Sequence, residues 1–295
     1  MGPGEGRAIA LEGHRGRLWA VIGPPAVWLV AFLIVPLVLL TAFSFRAGLE
    51  GALFRDWVPT LDQYRILFAT PSFLRLLAVS AGIALVVAVL ATVLAYPVAY
   101  YLVFRVRAGA GVYIVLLLIP FWISYLLRVM AWKVILGEGG AVNSLLLSLG
   151  LIHEPVSALF YSRLAVVVTL VYVWTPFVAL PIIATLYRID RSLLEAAAGL
   201  GASPRQRFWR VTVPLSLPGV IAGAVMVFIP TVGEYVTPAL VGGSSGAMYG
   251  NIIFDFFGRS ANWPLGAALA VVMLVLTLAL VAATSRLSRL ERFIG

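Results

Sequence analysis

Cysteine is absent and charge is scarce, and each absence excludes a class of function. With no cysteine anywhere in the 295 residues, disulfides, thiolate nucleophiles and cysteine metal sites are ruled out. The two histidines, His14 and His153, fall far apart in segments that read as loops on opposite sides, so they do not share a metal site. No P-loop, GxSxG elbow or HExxH pair occurs. The chain is therefore expected to be no enzyme, to hydrolyse no ATP and to bind no cofactor of its own. A membrane-embedded catalyst would need convergent His, Asp or Ser groups at helical spacing, and the intramembrane polar residues here are few and scattered. Charged residues make up 11% of the chain and hydrophobic ones 62%, against about a quarter and about half in soluble domains.

What is present is a series of apolar runs, each long enough to cross a hydrocarbon core of about 30 Å as a helix. The runs are continuously apolar rather than alternating, which predicts helices and not barrel strands. The expected fold class is an all-α polytopic membrane protein with about six spans, at 21–45, 76–103, 112–136, 163–187, 215–241 and 264–285. The first run is longer than the apolar region of a secretory signal and contains Pro24, Pro25 and Pro36, with no cleavage pattern after it. It reads as a retained helix. No internal repeat, low-complexity tail or second domain is visible, so 1–295 is expected to be a single membrane domain.

The arginines set the expected orientation. Arg7, Arg15, Arg17, Arg105, Arg107, Arg188, Arg191, Arg205, Arg207, Arg210, Arg286, Arg289 and Arg292 fall on the side of the amino terminus, thirteen of the 21 basic residues. Arg46, Arg55, Arg65, Arg75, Arg163 and Arg259 fall on the other, with Arg128 and Lys133 inside the third span. The positive-inside bias predicts both termini in the cytoplasm. Because these residues flank helices, the net charge of +9 needs no nucleic-acid partner.

The segment 188–214, between the fourth and fifth spans, is long for a connection and carries two helix signals. Ser192 is placed to cap a helix through Leu193, Leu194, Glu195, Ala196, Ala197 and Ala198, with Glu195 completing a capping box. Gly199 and Gly201 then end it. Ser203 and Pro204 can cap and start a second helix, with Phe208, Trp209, Val211 and Val213 set beside arginines until Pro214 and Pro218 interrupt it. A small Ala-rich surface bearing one carboxylate suits close docking in a partner's groove.

The order Glu195-Ala196-Ala197, three residues, Gly201, nine residues, then Val211-Thr212-Val213-Pro214 resembles the EAA loop of binding-protein-dependent importer permeases, which closes on Ile-x-Leu-Pro. Val211 and Val213 depart from that pattern conservatively. The resemblance implies the type I ATP-binding-cassette importer permease fold in the bacterial inner membrane. It implies that Glu195, Ala196, Ala197, Gly201 and Pro214 are coupling positions against a cytoplasmic ATPase dimer, which supplies ATP and Mg. It further implies a second permease subunit and an extracytoplasmic solute-binding protein. The stretches Pro120–Lys133, Phe228–Gly243 and Asn262–Leu274 are similar to the spermidine/putrescine-type permeases of that family. Those relatives imply a polyamine solute and a non-identical permease partner. Relatives carrying amino-acid-derived or opine-like solutes look similar in the same stretches, so another small solute, an anion included, stays open. A passive channel or ion-coupled carrier is the reading from another class, and it offers no reason for an ATPase-docking loop.

Residue chemistry is compatible with a cationic solute. Glu234 falls within the fifth predicted span, bracketed by Pro230, Gly233 and Pro238, where an ionisable group is expected to face a bundle interior or water. Beside Tyr235 it can hold an ammonium by charge and cation–π contact. The alternative is that Glu234 pairs with Arg128 or Lys133 and fastens helices together. Arg128 itself is expected to snorkel to the outer interface, in a structural role or in docking of the binding protein. Trp122 and Tyr125 are aromatic candidates for the path, although belt or packing roles explain most such residues. Asp255, expected in an outer loop, is an entry carboxylate or a surface charge. The run 141–152 is too short to span and is expected to lie at the interface or to re-enter.

Overall fold

The computed structural model describes residues 21–47, 58–106 and 109–290, with the backbone alone beyond 284. His14, Arg7, Arg15, Arg17, Arg55, Trp57, Arg107 and Arg292 lie outside the described residues. Every regular element among the described residues is a helix: α1 (Val21–Ser44), α2 (Asp62–Ala69), α3 (Pro71–Phe104), α4 (Ala110–Trp122), α5 (Tyr125–Ile135), α6 (Ala141–Ser148), α7 (Arg163–Leu186), α8 (Arg191–Gly199), α9 (Pro204–Val232), α10 (Tyr249–Phe257) and α11 (Trp263–Leu290). Five of these, α1, α3, α7, α9 and α11, are long and apolar enough to cross a membrane.

Two expected spans are broken. The run 112–136 is not one helix, because α4 and α5 meet at an 85° bend. The cause is local: α4 tightens into a 3₁₀ turn at Ile119–Trp122, where Pro120 lacks a donor, and Ile123 and Ser124 are extended. The run 215–241 stops at Val232, turns through Gly233, Glu234 and Tyr235, and resumes into a π turn at Pro238–Gly242. By contrast, Pro214 and Pro218 do not interrupt α9. A π turn at Phe208–Thr212, closed by the Val213 N–H donating to the Phe208 carbonyl, leads directly into Pro214. The second half of the segment 188–214 is thus the base of a helix of about 43 Å. Asp255 lies not in a loop but in α10.

The core is the mutual packing of α3, α7 and α9. Ala84, Ala88, Ala91, Ala95 and Ala99 put a buried stripe of small side chains along α3 at helical spacing. Gly219 and Gly223 do the same on α9, where a Cβ would strike Thr185 and the carbonyl of Pro181, or the carbonyl of Val178. Lipid offers no hydrophobic drive to bring helices together, so close approach through small residues supplies the dispersion contacts. Helices α1, α2 and α10 gather on α11 at the flank of this core.

The α8 hairpin projects from the end of the bundle where α7 finishes and α9 begins. Its cap is Asp190 rather than Ser192: the Asp190 carboxylate accepts from the Ser192 N–H at 2.9 Å, and Ser192 lies inside the helix. Those hydrogen bonds lower the Asp190 pKa, so the cap persists above the ordinary carboxyl range and is lost as pH falls through the lowered value. At the far end Gly201 adopts φ +84°. The Gly201 N–H donates to the Ala198 carbonyl at 2.9 Å and the Ala202 N–H to the Ala197 carbonyl at 3.0 Å, a Schellman closure. Ser203 and Gln206 then form the capping box of α9.

Two outcomes follow from this packing. Gly219→Val is expected to destabilise the folded chain by about 1–3 kcal/mol through overpacking of α7 on α9, seen as a lower thermal midpoint in detergent. Gly201→Val is expected to fray the end of α8 by about 1–2 kcal/mol, read as lost hydrogen-exchange protection at Gly201 and Ala202 with the midpoint of the bundle unchanged.

Candidate coupling surface and translocation cleft

The hairpin presents a flat, accessible surface. Glu195 and Ala196 are exposed and Ala197 half-buried, while Leu200 at the turn is 90% exposed and Leu193 stands beside it. Gly201 serves the surface through its left-handed turn, which brings α8 back against the base of α9. Pro214 is not on this surface; it lies in α9 beyond the π turn.

A cluster that no sequence pattern announced joins the hairpin to the core. Phe208, the first residue of the π turn, meets Tyr96 and Tyr100 of α3 edge-on, at ring centroid distances of 5.9 and 5.3 Å. The Tyr96 hydroxyl shares a 2.8 Å hydrogen bond with Ser216 of α9. Edge-to-face aromatic contacts of this kind and the Tyr96–Ser216 bond tie the base of α9 to α3.

At the opposite end of α9 the chain break builds a second site. The Glu234 carboxylate oxygen Oε1 accepts from the N–H groups of Val236 (2.9 Å) and Thr237 (3.1 Å), capping the resumed helical segment. Asn251 of α10 donates to the Tyr235 carbonyl at 2.8 Å. The Tyr125 hydroxyl is bonded to Thr237 Oγ1 at 2.5 Å and also faces the Glu234 carboxylate. Glu234 has no ion-pair partner among the described residues, so the expected alternative of a direct bond to Arg128 or Lys133 is not what holds it.

Next to this break lies a cleft of about 610 Å³ lined by Tyr235, Ala239, Asn251, Phe254, Asp255 and Arg259. Tyr235 stacks on Phe254 with centroids 4.9 Å apart and planes at 14°. Asp255 meets Arg259 at 3.7 Å, and Arg259 is 84% exposed, a contact too loose and too wet to neutralise the carboxylate. Of the expected path residues, Tyr235 and Asp255 line the cleft, while Glu234 and Tyr125 meet at the break beside it and are not part of its lining. Trp122 stands apart, 85% exposed on the 3₁₀ turn. Arg128 does not snorkel: it is 8% exposed and sits over the faces of Phe121 and Tyr125. Phe254 and Asn251 were missed because their contribution depends on α10 folding back onto the break, about 16 residues along the chain.

Residues 18–292 match the family model described as binding-protein-dependent transport system inner membrane component. The chain is 35% identical over 248 residues to the spermidine/putrescine transport system permease protein PotB of Escherichia coli (strain K12), covering 84% of this chain and 89% of that one. It is 32% identical over 246 residues to the inner membrane ABC transporter permease protein YdcU of the same organism, covering 79% and 77%. Among solved structures, a chain of a bacterial alginate ABC transporter in complex with an alginate pentasaccharide-bound periplasmic protein superposes with a TM-score of 0.71 at 18% identity, over 94% of this chain and 95% of that one. A chain of the MetNI methionine ABC transporter gives 0.56 at 18% identity, over 74% and 94%. With a near full-length family match, a 35% identical relative and this all-helical architecture, the chain belongs to the inner-membrane components of binding-protein-dependent transport systems and is a permease subunit of an ATP-binding-cassette importer.

Proposed function

We propose that this permease forms half of the path for a small organic cation, a polyamine of the spermidine or putrescine kind. The observation that carries the reading is the cleft beside the α9 break. There a stacked aromatic pair and a weakly paired carboxylate at Asp255 line the cleft, and Glu234 stands in the chain next to Tyr235 of its wall. A flexible chain bearing ammonium groups finds charge and π-faces together there. The similarity to PotB, named for spermidine and putrescine, supports the same class.

Orientation and partners complete the proposal. The arginine bias supports a cytoplasmic location for both termini and the α8 hairpin. Glu195, Ala196 and Ala197 dock there on an ATPase dimer, which binds ATP and Mg and carries out all hydrolysis. The cleft then lies toward the extracytoplasmic side, where a solute-binding protein delivers the cation, and a second, non-identical permease supplies the facing wall. ATP-driven closure of the ATPases moves the hairpins; the stiff α9 and the Phe208 wedge carry that movement to the break at Glu234.

The test is uptake into proteoliposomes containing this chain with its partner subunits, using labelled spermidine and putrescine against sulfate. ATP-dependent uptake of the amines and not of sulfate is expected, whereas uptake of sulfate alone overturns the solute class. Glu195→Arg is expected to lower ATP-driven uptake more than tenfold while insertion and folding persist, since one buried like or unmatched charge at a docked surface costs about 2–5 kcal/mol. Glu234→Gln keeps an oxygen that accepts from Val236 and Thr237 but loses the charge. The KM for putrescine is expected to rise about tenfold, the scale of one charge-assisted contact, with assembly intact; an unchanged KM removes Glu234 from the path.

A further inference from the structure

Arg128 is the most anomalous charge in the described structure. Arginine does not lose its proton in a protein, and a buried cation is ordinarily paired with a carboxylate and saturated with hydrogen bonds. Arg128 is only 8% exposed, yet its buried Nε has no hydrogen-bond partner. No carboxylate oxygen among the described residues comes within 4.0 Å of its guanidinium. What holds it is a pair of ring faces: the guanidinium carbon lies 5.1 Å from the Phe121 centroid and 5.9 Å from that of Tyr125. Tyr125 in turn faces Glu234 and bonds to Thr237 just past the α9 break. The charge therefore rests in an aromatic cation site near the one carboxylate at the break, without being bonded to it.

We infer that Phe121 and Tyr125 form a cation subsite on the path, that Arg128 occupies it in this conformation as a tethered substitute for the solute, and that a solute ammonium takes its place during transport. The inference rests on the cationic-solute reading above. Tethering gives Arg128 a high effective concentration at the site, so a ligand with a single ammonium is a poor competitor. A diamine has a second ammonium for the Tyr235, Phe254 and Asp255 cleft, and the added contact lets the first displace the guanidinium. Arg128 thereby filters for solutes with two or more charges. The exchange has a structural route: α5, which carries Arg128, follows the 85° bend and packs against the π turn beyond the break, so a change at the break is expected to shift the guanidinium relative to its rings.

The experiment compares Arg128→Met and Arg128→Gln, which remove the charge, with Arg128→Lys, which keeps it, in the reconstituted importer. Putrescine uptake is measured with butylamine as competitor. The neutral variants are expected to show a putrescine KM about fivefold lower and butylamine inhibition about tenfold stronger, on the scale of one removed cation–π competitor. Arg128→Lys is expected to stay within about twofold of wild type on both measures. Equal KM and equal butylamine inhibition in all variants overturn the exchange, as does failure of both neutral variants to assemble, which makes Arg128 a support of the fold. Wild-type importer that takes up no putrescine overturns the solute class instead, so the two failures are distinct.

Discussion

Inside a bilayer every backbone N–H and C=O must find its partner within the protein, and the α9 break is where that demand is hardest to meet. Between Val232 and the π turn at Pro238 the helical ladder stops, and the freed groups are taken up one by one. Glu234 accepts from Val236 and Thr237, its own N–H donates to Thr231 at 3.2 Å, and Asn251 reaches across from α10 to the Tyr235 carbonyl. A carboxylate at this depth is costly alone, but here it closes the hole that the break opens. The carboxylate caps the resumed segment and the break gives it two backbone donors, so each offsets the cost of the other.

The same constraint separates what the sequence disclosed from what it concealed. Runs of about 20 apolar residues must become helices, so α1, α3, α7 and α11 were legible to within several residues, whereas α9 starts 11 residues before the expected 215 and stops nine before the expected 241. The breaks were legible as local weakening, at Pro120 and at the Pro230, Gly233 and Pro238 bracket around Glu234, but Ile123, Tyr235 and Val236 are apolar enough that both runs still read as continuous spans. Proline was an ambiguous guide: Pro97, Pro176, Pro181 and Pro218 all sit inside unbroken helices, whereas Pro120 accompanies a bend. The hairpin was legible as capping chemistry, with Gly201 and Ser203 correctly placed. The start was misjudged because Asp190 and Ser192 are competing cap residues two positions apart and the carboxylate wins. Asp255 was misread because three flanking phenylalanines resemble an interfacial loop more than one face of a short helix. The burial of Arg128 depends wholly on which side of the 85° bend its rings fall.

Coupling over the length of the bundle asks for stiffness between two soft ends. The hairpin is bare and small, held by a carboxylate cap and a glycine turn. The break is held by side-chain hydrogen bonds rather than by a helical ladder. Between them α9 runs uninterrupted and packs closely on α7 through Gly219 and Gly223. Phe208 packs edge-on against Tyr96 and Tyr100 and ties the base of α9 to α3. In the proposed mechanism α9 and Phe208 transmit movement between the hairpin, which serves the ATPase, and the break at the other end, which serves the solute.

That transmission is the central claim, and a distance across the cleft tests it most directly. The absence of cysteine allows clean paired spin labels at Ala239 and Arg259, two residues lining the cleft, in the assembled importer. The account predicts that the distance distribution shifts between the nucleotide-free and ATP-trapped states and that Glu195→Arg, at the far end of α9, abolishes the shift. A distribution that is the same with and without nucleotide, in an importer that still transports, would contradict it.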